Sequence, residues 1–461
     1  MIDAEVRPTD IGTGRPGQTA AALVELGGRT VAWFRLAGEI ERTTGSEGAG
    51  IAGAEVVLRT LELAGDLGVP AVGVIESIHM RPTELGALGA WGRVAQRAAA
   101  LSGVVPLLLA VSGPCHGGLA PLFGLVDHVV FTRGASAYVN GPAAVAATTG
   151  MAITPDELGG GGVHARMSGL ATLLASDEAE AVALLAELLS YLPDNHMVPP
   201  PHHTTSDPDE RPCLEAVAAV PAGRRIAYDV RRVLADVVDG GSLLEVYPDH
   251  AANVVTAYAT VSGRPVALIA NQPCHRAGTL DIAASSKAAR HVQGADSANL
   301  PLLTFVDTPG FEPGRDLEWR GMIRHGAELV HAYAAATVPR ICVVVRKAYG
   351  GAYIVMDSKG IGSDVVLCWP QAEIAVMGAR GAVAILNRGD VAASTDPAAR
   401  QLELEDDYEQ QFCTPRLAVE RGYVDKVVEP SATRAEVAAA LRRLSTKQRR
   451  VPNRRHANTP C

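Results

Sequence analysis

Short apolar runs alternate with longer alanine- and leucine-rich stretches along this chain. "VAWFRLAG" (31–38), "AVGVIES" (71–77) and "VPLLLAVSG" (105–113) are too short for helices and predict buried strands. Residues 88–102 and 177–192 have the length and the alanine and leucine content of helices. Strands alternating with helices predict an α/β fold. The proline-dense, apolar-poor segment "PDNHMVPPPHHTTSDPDERP" (193–212) can continue neither element type. It divides the chain into an expected first domain, 1–192, a linker, 193–224, and a second domain, 225–461.

The order of elements then returns. "GGRTVAWF" (27–34) resembles "SGRPVALI" (262–269), aligning Gly28 with Gly263, and "AVGVIES" resembles "LLTFVDT" (302–308), aligning Glu76 with Asp307. "LLAVSGPCHGG" (108–118) resembles "VVVRKAYGG" (343–351), pairing Gly117 with Gly350, and "YVNGPAAV" (138–145) resembles "AVMGARGAV" (375–383), pairing Gly141 with Gly378. The offsets are 235, 231, 233 and 237. A displacement this constant over four anchors predicts a duplicated α/β domain.

In each half a strand ends on a glycine pair, Gly117-Gly118 and Gly350-Gly351, and an apolar run follows at once. Glycine-glycine after a strand serves tight packing in many proteins. It also lets backbone approach a ligand, and if a helix follows, its first amides have no partner inside the helix and suit a developing negative charge. Two such turns at matching positions predict two oxyanion holes, and with few candidate side-chain nucleophiles they point to enolate chemistry. No GxSxG, HExxH, GxxxxGK[ST] or strand-borne GxGxxG motif is present. His116 adjoins the first turn as a wall residue or a direct participant, while His325, in "IRHGAELVHAY", reads as a structural hydrogen-bonding partner on a helix.

Composition narrows the partners. A net charge of −9 argues against nucleic acid as the main partner. The basic stretch Arg442, Arg443, Lys447, Arg449, Arg450, Arg454 and Arg455 is a local exception, read as a solvated tail or subunit contact, or as an anion site. Seven cysteines without a CxxC pair fit reduced thiols, and no metal site is expected. No signal peptide and no apolar run of about 18 residues is found, so a cytoplasmic protein without membrane contact is expected.

At these motifs the sequence resembles the carboxyltransferase (β) subunits of biotin-dependent acyl-CoA carboxylases, the acetyl- and propionyl-CoA carboxylase group. The resemblance rests on "GRPVALIANQP" (263–273), "LDIAASSKAAR" (280–290), "FVDTPGFEPG" (305–314), "GMIRHGAELVHAYAAATVPRICVVVRKAYGGAY" (321–353), "CWPQAEIAVMGARGAV" (368–383) and "AVERGYVDKVVEP" (418–430). The first half matches through "SGVVPLLLAVSGPCHGG" (102–118), "ELGGGGVHARMSGLA" (157–171) and "LLSYLPDN" (188–195).

The resemblance implies two tandem crotonase-like (ClpP/crotonase) domains, the first binding acyl-CoA and the second biotin, with the active site between the first domain of one subunit and the second domain of its partner. It implies that Gly117 and Gly118 stabilise the thioester enolate, and that Gly351 and Ala352 hold the biotin ureido oxygen. Cys115, His116, Tyr353, Ile354, Gly310 and Phe311 are implied to bind substrate, with Ile354 a determinant of acyl preference whose apolar character suits a broader or longer acyl pocket. In the implied mechanism carboxybiotin releases carbon dioxide, its ureido anion takes the acyl α-proton, and the enolate captures the carbon dioxide.

The chain has no Met-Lys-Met site and no ATP-grasp-like region, so a biotin carboxylase or biotin carrier partner is implied, as is a homo-oligomer, a hexamer by resemblance. One departure stands out. Where the family writes Asp-Ser-Gly-Gly-Ala-Arg, this chain reads Glu76-Ser77-Ile78-His79-Met80-Arg81. The expected reaction is carboxylation of a short- or medium-chain acyl-CoA, to a product such as malonyl-CoA or methylmalonyl-CoA. A decarboxylase running the chemistry backward, and a non-catalytic assembly subunit with a degenerate first domain around the Glu76–Glu84 loop, are the alternatives.

Overall fold

The computed structural model describes residues 7–8, 19–36, 49–77, 85–117, 120–223, 226–447, 449, 451–453 and 456–460. It falls into two compact units. The first holds 1–201 with 246–250 and 297–299, and the second holds 202–245, 251–296 and 300–461. Within the expected linker, just past its proline-dense part, Leu214–Ala219 form a short helix whose Ala216 and Ala219 are buried, because alanine and leucine return there.

The first unit is built on a hairpin of β1 (Ala20–Leu26) and β2 (Arg29–Leu36). Its two-residue turn has Gly27 at φ 59° and Gly28 at φ 75°, the left-handed pair that matches the twist of the flanking strands. Helix α1 (Ala49–Leu67) leads to β3 (Ala71–Ile75), and α2 (Leu85–Leu101) leads to β4 (Leu107–Val111). Both strands are buried at every position, which is why they read as unbroken apolar runs and pair in parallel. Then follow β5 (Pro114–His116), β6 (His128–Thr132), β7 (Ser136–Tyr138), α3 (Pro142–Thr149), β8 (Leu173–Ala175) and α4 (Glu178–Tyr191). The seven-stranded sheet runs Arg7–Pro8, β1, β2, β3, β4, β6, β8, with β5 and β7 paired apart from it. Helices α1 and α2 cover one face through Val57, Leu61, Trp91 and Val94, and α4 packs on β4, β6 and β8.

The second unit repeats this plan. Its hairpin is β9 (Val254–Val261) and β10 (Arg264–Asn271), followed by α5 (Ile282–Ser297), β11 (Leu302–Thr308), α6 (Met322–Ala335) and β12 (Arg340–Tyr349). Next come α7 (Gly350–Val355), β13 (Val365–Cys368), β14 (Glu373–Ala375), α8 (Ala379–Leu386), β15 (Lys426–Val427) and α9 (Thr433–Arg443). The eight-stranded sheet runs Leu244–Val246, β9, β10, β11, β12, β13, β15, with β14 paired to β12. Strand registers reproduce the sequence offsets, and the β11–β12 pairing shifts only at an irregularity between Val306 and Thr308. Ala71 stands opposite Leu107 as Leu302 stands opposite Arg340, and Val111 opposite Phe131 as Val344 stands opposite Cys368.

The second hairpin has the same turn, with Ser262 at φ 55° and Gly263 at φ 73°. A serine tolerates that conformation because Asp239 accepts from both amides, at 3.0 and 2.8 Å, and is itself tied to buried Arg434 at 2.6 Å.

Candidate active site

In the second unit β12 pairs with both β11 and β14, which bring Thr308 and Glu373–Ala375 alongside its last residues. The strand ends because Gly350 takes φ 59° with Val376 carbonyl oxygen only 3.0 Å from where a Cβ would stand. Helix α7 starts there. Its Gly351 and Ala352 amides belong to the first turn and have no acceptor inside the helix. Gly351 is exposed and Ala352 buried. The Phe311 ring lies 3.4 Å from where a Gly351 Cβ would stand and 3.3 Å from the same point at Gly326, so two glycines make room for one ring. Gly310 at φ 145° turns the chain toward this ring, its carbonyl accepting from Leu280 N–H at 3.1 Å. Ile354 is 51% exposed. The Tyr353 hydroxyl is buried with no acceptor among the described residues, and burial raises its pKa.

Beneath this turn lies a buried ion pair that the sequence reading did not find. Arg346 Nε donates to Asp307 at 3.0 Å, and the other Asp307 oxygen accepts from the Lys347 amide at 3.1 Å. Burial lifts the Asp307 carboxyl above its usual range, and the Arg346 guanidinium pulls it back. The Arg346 guanidinium also donates to the Ile226 carbonyl at 2.8 Å and lies 5.0 Å over the Tyr228 ring. A charged residue inside "VVVRKAYGG" was the available signal, since an arginine within a buried strand requires a buried partner.

In the first unit His116 pairs with Tyr138 across β5 and β7, and their rings stack at 4.5 Å and 9°. Gly117 follows at φ 87°. Its N–H donates to Tyr138 carbonyl at 3.0 Å and its carbonyl accepts from Ala120 at 3.1 Å. The Gly117 amide is therefore spent inside the fold. Gly118 lies outside the described residues, as does the Ile78–Glu84 part of the Glu76–Glu84 loop. By the repeat, Gly351 and Ala352 correspond to Gly118 and Leu119 rather than to Gly117. Cys115 is 1% exposed and packs in the hydrophobic core, so its thiol faces inward.

Upstream, the Glu76 carbonyl comes within 2.0 Å of where a Gly113 Cβ would stand, so only glycine lets β3 and β4 end side by side. The Glu76 carboxylate pairs with Arg35, whose second amino group pairs with Glu178.

The remaining candidates have structural partners. His325 Nδ1 lies 3.1 Å from both Ser286 Oγ and a Glu328 oxygen on α6. Arg442 pairs with Asp209, Lys447 with Asp364 at 2.7 Å, and Arg449 donates to Ala336 carbonyl at 2.9 Å; Arg450, Arg454 and Arg455 lie outside the described residues. Burial pushes the Cys368 thiol up to about 12 and raises that of Cys342, which suits neither for nucleophilic work. Among the described residues no group of three or more His, Cys, Asp or Glu is placed to hold a metal, and no helix is long and apolar enough to cross a membrane.

Residues 35–459 match the family model "Carboxyl transferase domain". The chain belongs to the carboxyl transferase domain family. It is 43% identical over 438 residues to the propionyl-CoA carboxylase carboxyltransferase subunit of Haloferax mediterranei, covering 95% of this carboxyl transferase and 84% of that protein. It is 39% identical over 409 residues to the methylmalonyl-CoA decarboxylase subunit alpha of Propionigenium modestum, covering 88% and 79%. A solved transcarboxylase 12S structure, a hexamer with methylmalonyl-coenzyme A and methylmalonic acid bound, superposes with a TM-score of 0.91 at 39% identity, over 96% of this chain and 84% of that one. This carboxyl transferase is thus an enzyme of the biotin-dependent acyl-CoA carboxylase type, made of tandem crotonase-like units, as its motifs implied.

Proposed function

We propose that this chain carboxylates the α-carbon of a short- or medium-chain acyl-CoA, working with a partner subunit that carries biotin. The observation that carries this reading is the matched pair of strand-ending glycine turns, one per unit, at the same place in the repeat. The turn at Gly350 fits a ring oxygen that gains charge. It combines an exposed glycine, two first-turn amides without an intrahelical acceptor, and an aromatic ring alongside. Carboxybiotin, when bound, supplies carbon dioxide and the ureido base.

Gly351 and Ala352 donate their amides to the ureido oxygen, and Phe311 closes one side of that pocket. In the first unit Gly118 donates to the thioester oxygen as the α-proton leaves, while Gly117, held by Tyr138, fixes the turn. His116 and Tyr138 form the wall, and Ile354 leaves the acyl side apolar. No side-chain base is required. The assembly is a homo-oligomer, a hexamer like the transcarboxylase relative, located in the cytoplasm.

The decarboxylase relative keeps the reverse reaction as a second reading, because both directions need the same two turns. Purified chain, biotinylated partner, ATP, labelled bicarbonate and acyl-CoAs of rising length test the proposal. Label is expected in an acid-stable acyl-CoA product. Release of carbon dioxide from malonyl- or methylmalonyl-CoA without net carboxylation would favour the decarboxylase. Assembly with the partner but no acyl-CoA binding in calorimetry would leave only the assembly role.

A further inference from the structure

Three consecutive residues in the loop between β10 and α5 lie in the left-handed region, Arg276 at φ 48°, Ala277 at φ 53° and Gly278 at φ 75°. Gly278 is required there, since a Cβ would sit 2.5 Å from the Asp307 carbonyl oxygen near the end of β11. Arginine and alanine lack that freedom, and left-handed residues occur singly rather than in runs. A backbone held this way persists only where its surroundings fix it, and such segments gather at ligand sites.

The Arg276 side chain ties this loop to its neighbours. Its Nη1 donates to Glu312 at 2.7 Å and to Asp281 at 2.9 Å. The other Asp281 oxygen accepts from the Ala284 amide at 2.8 Å and so caps α5. Glu312 directly follows Phe311, and the backbone on both sides of that ring is bonded to Leu280. The Leu280 N–H donates to the Gly310 carbonyl at 3.1 Å, and the Leu280 carbonyl accepts from the Glu312 N–H at 2.9 Å. One guanidinium therefore joins the strained loop, the start of α5 and the segment that carries Phe311.

Phe311 is the ring that stands 3.4 Å from where a Gly351 Cβ would lie. The side chains of Arg276 and Glu312 are 56% and 29% exposed, and a bridge this open to water adds little to global stability. Strain at Arg276 is not repaid by such a bridge through stability alone. Its place beside the ring gives it a geometric task instead.

We propose that Arg276 is a positioning residue for the biotin side of the reaction, holding Phe311 through Glu312 at the distance from Gly351 that admits the ureido ring. The inference rests on the functional reading above and adds a residue to its second turn. The test is steady-state carboxyl transfer by the full chain from malonyl- or methylmalonyl-CoA to biocytin, or to the biotinylated partner subunit where biocytin does not saturate. Wild type is compared with Arg276→Gln, Arg276→Lys and Glu312→Gln.

Arg276→Gln is expected to raise KM for the biotin acceptor about fivefold or more, while kcat and KM for the acyl-CoA stay within about twofold. Arg276→Lys keeps a cation between the two carboxylates and should recover most of the loss. Glu312→Gln should shift KM in the same direction, and the double variant Arg276→Gln/Glu312→Gln no further than the larger single one, because both remove one bridge. A lowered thermal transition with acceptor KM unchanged in both single variants would make the bridge purely structural and overturn the proposal. Equal losses toward acyl-CoA and acceptor, or a shift in Arg276→Gln that Glu312→Gln does not share, would overturn it too while the functional reading stands. If wild type transfers to neither acceptor, the functional reading itself fails and takes this one with it.

Discussion

Replacing Asp307 by asparagine isolates the pair beneath the second glycine turn. Asp307 and Arg346 are 2% and 4% exposed, so the guanidinium has almost no water to turn to when its carboxylate is lost. Asparagine keeps an oxygen for the Lys347 amide but offers Arg346 no charge. Removing one partner of a buried pair costs about 3–5 kcal/mol, because the other charge stays buried and uncompensated. For a unit of this size that lowers its melting temperature by roughly 6–20 °C.

Differential scanning calorimetry reads the shift, and Asp307→Asn/Arg346→Met completes the cycle. With both charges gone the penalty should shrink to about 1–2 kcal/mol, the residue being the Ile226 carbonyl left without its donor. Label transfer should fall with the single variant as well, since Lys347 lies three residues before Gly350 on the strand that aims the turn. A single-variant loss below about 1 kcal/mol, or simple additivity in the cycle, would refute the reasoning.

Two further outcomes are expected. Gly113→Ala places a Cβ 2.0 Å from the Glu76 carbonyl, so β3 and β4 must separate; acyl-CoA affinity measured by calorimetry should drop at least about tenfold while the thermal transition of the second unit stays in place, and unchanged affinity would show that this approach is dispensable. His291 is buried with its pKa lowered to about 4 by burial, and its Nε2–H donates to Ala257 carbonyl at 3.1 Å. A lowered histidine pKa means that stability is intact above the ordinary value near 6.5 and is lost as pH falls toward 4. His291→Gln should remove about 3 kcal/mol of that acid sensitivity in urea titrations between pH 7 and 4, and parallel curves for the two proteins would contradict it.

Much of this architecture was legible because duplication writes it twice. The offsets between Gly28 and Gly263, or Gly117 and Gly350, became registers and backbone angles, since a turn with two left-handed residues and a strand cut by glycine leave local marks. The early hairpin strands Ala20–Leu26 and Val254–Val261 were not read, because a strand's partner is a long-range fact. The Asp307–Arg346 pair was hidden for the same reason, its members 39 residues apart. The structural use of the Gly117 amide was also hidden. Gly117 is one of two adjacent glycines in its motif, and only the folded chain shows its N–H bonded to the Tyr138 carbonyl.

In the proposed reaction, main-chain donors at Gly351 and Ala352 do the chemistry of the second turn. Gly351→Pro tests it most directly, with Gly351→Ala as the steric control. Proline suits the second position of a helix but removes the N–H, whereas alanine keeps the N–H and adds a Cβ 3.4 Å from Phe311. Proline is expected to lower label transfer from bicarbonate to acyl-CoA by about 100- to 1,000-fold, the loss typical of one oxyanion donor, and alanine to lower it far less. Full activity in the proline variant, or an equal loss in both, would contradict it.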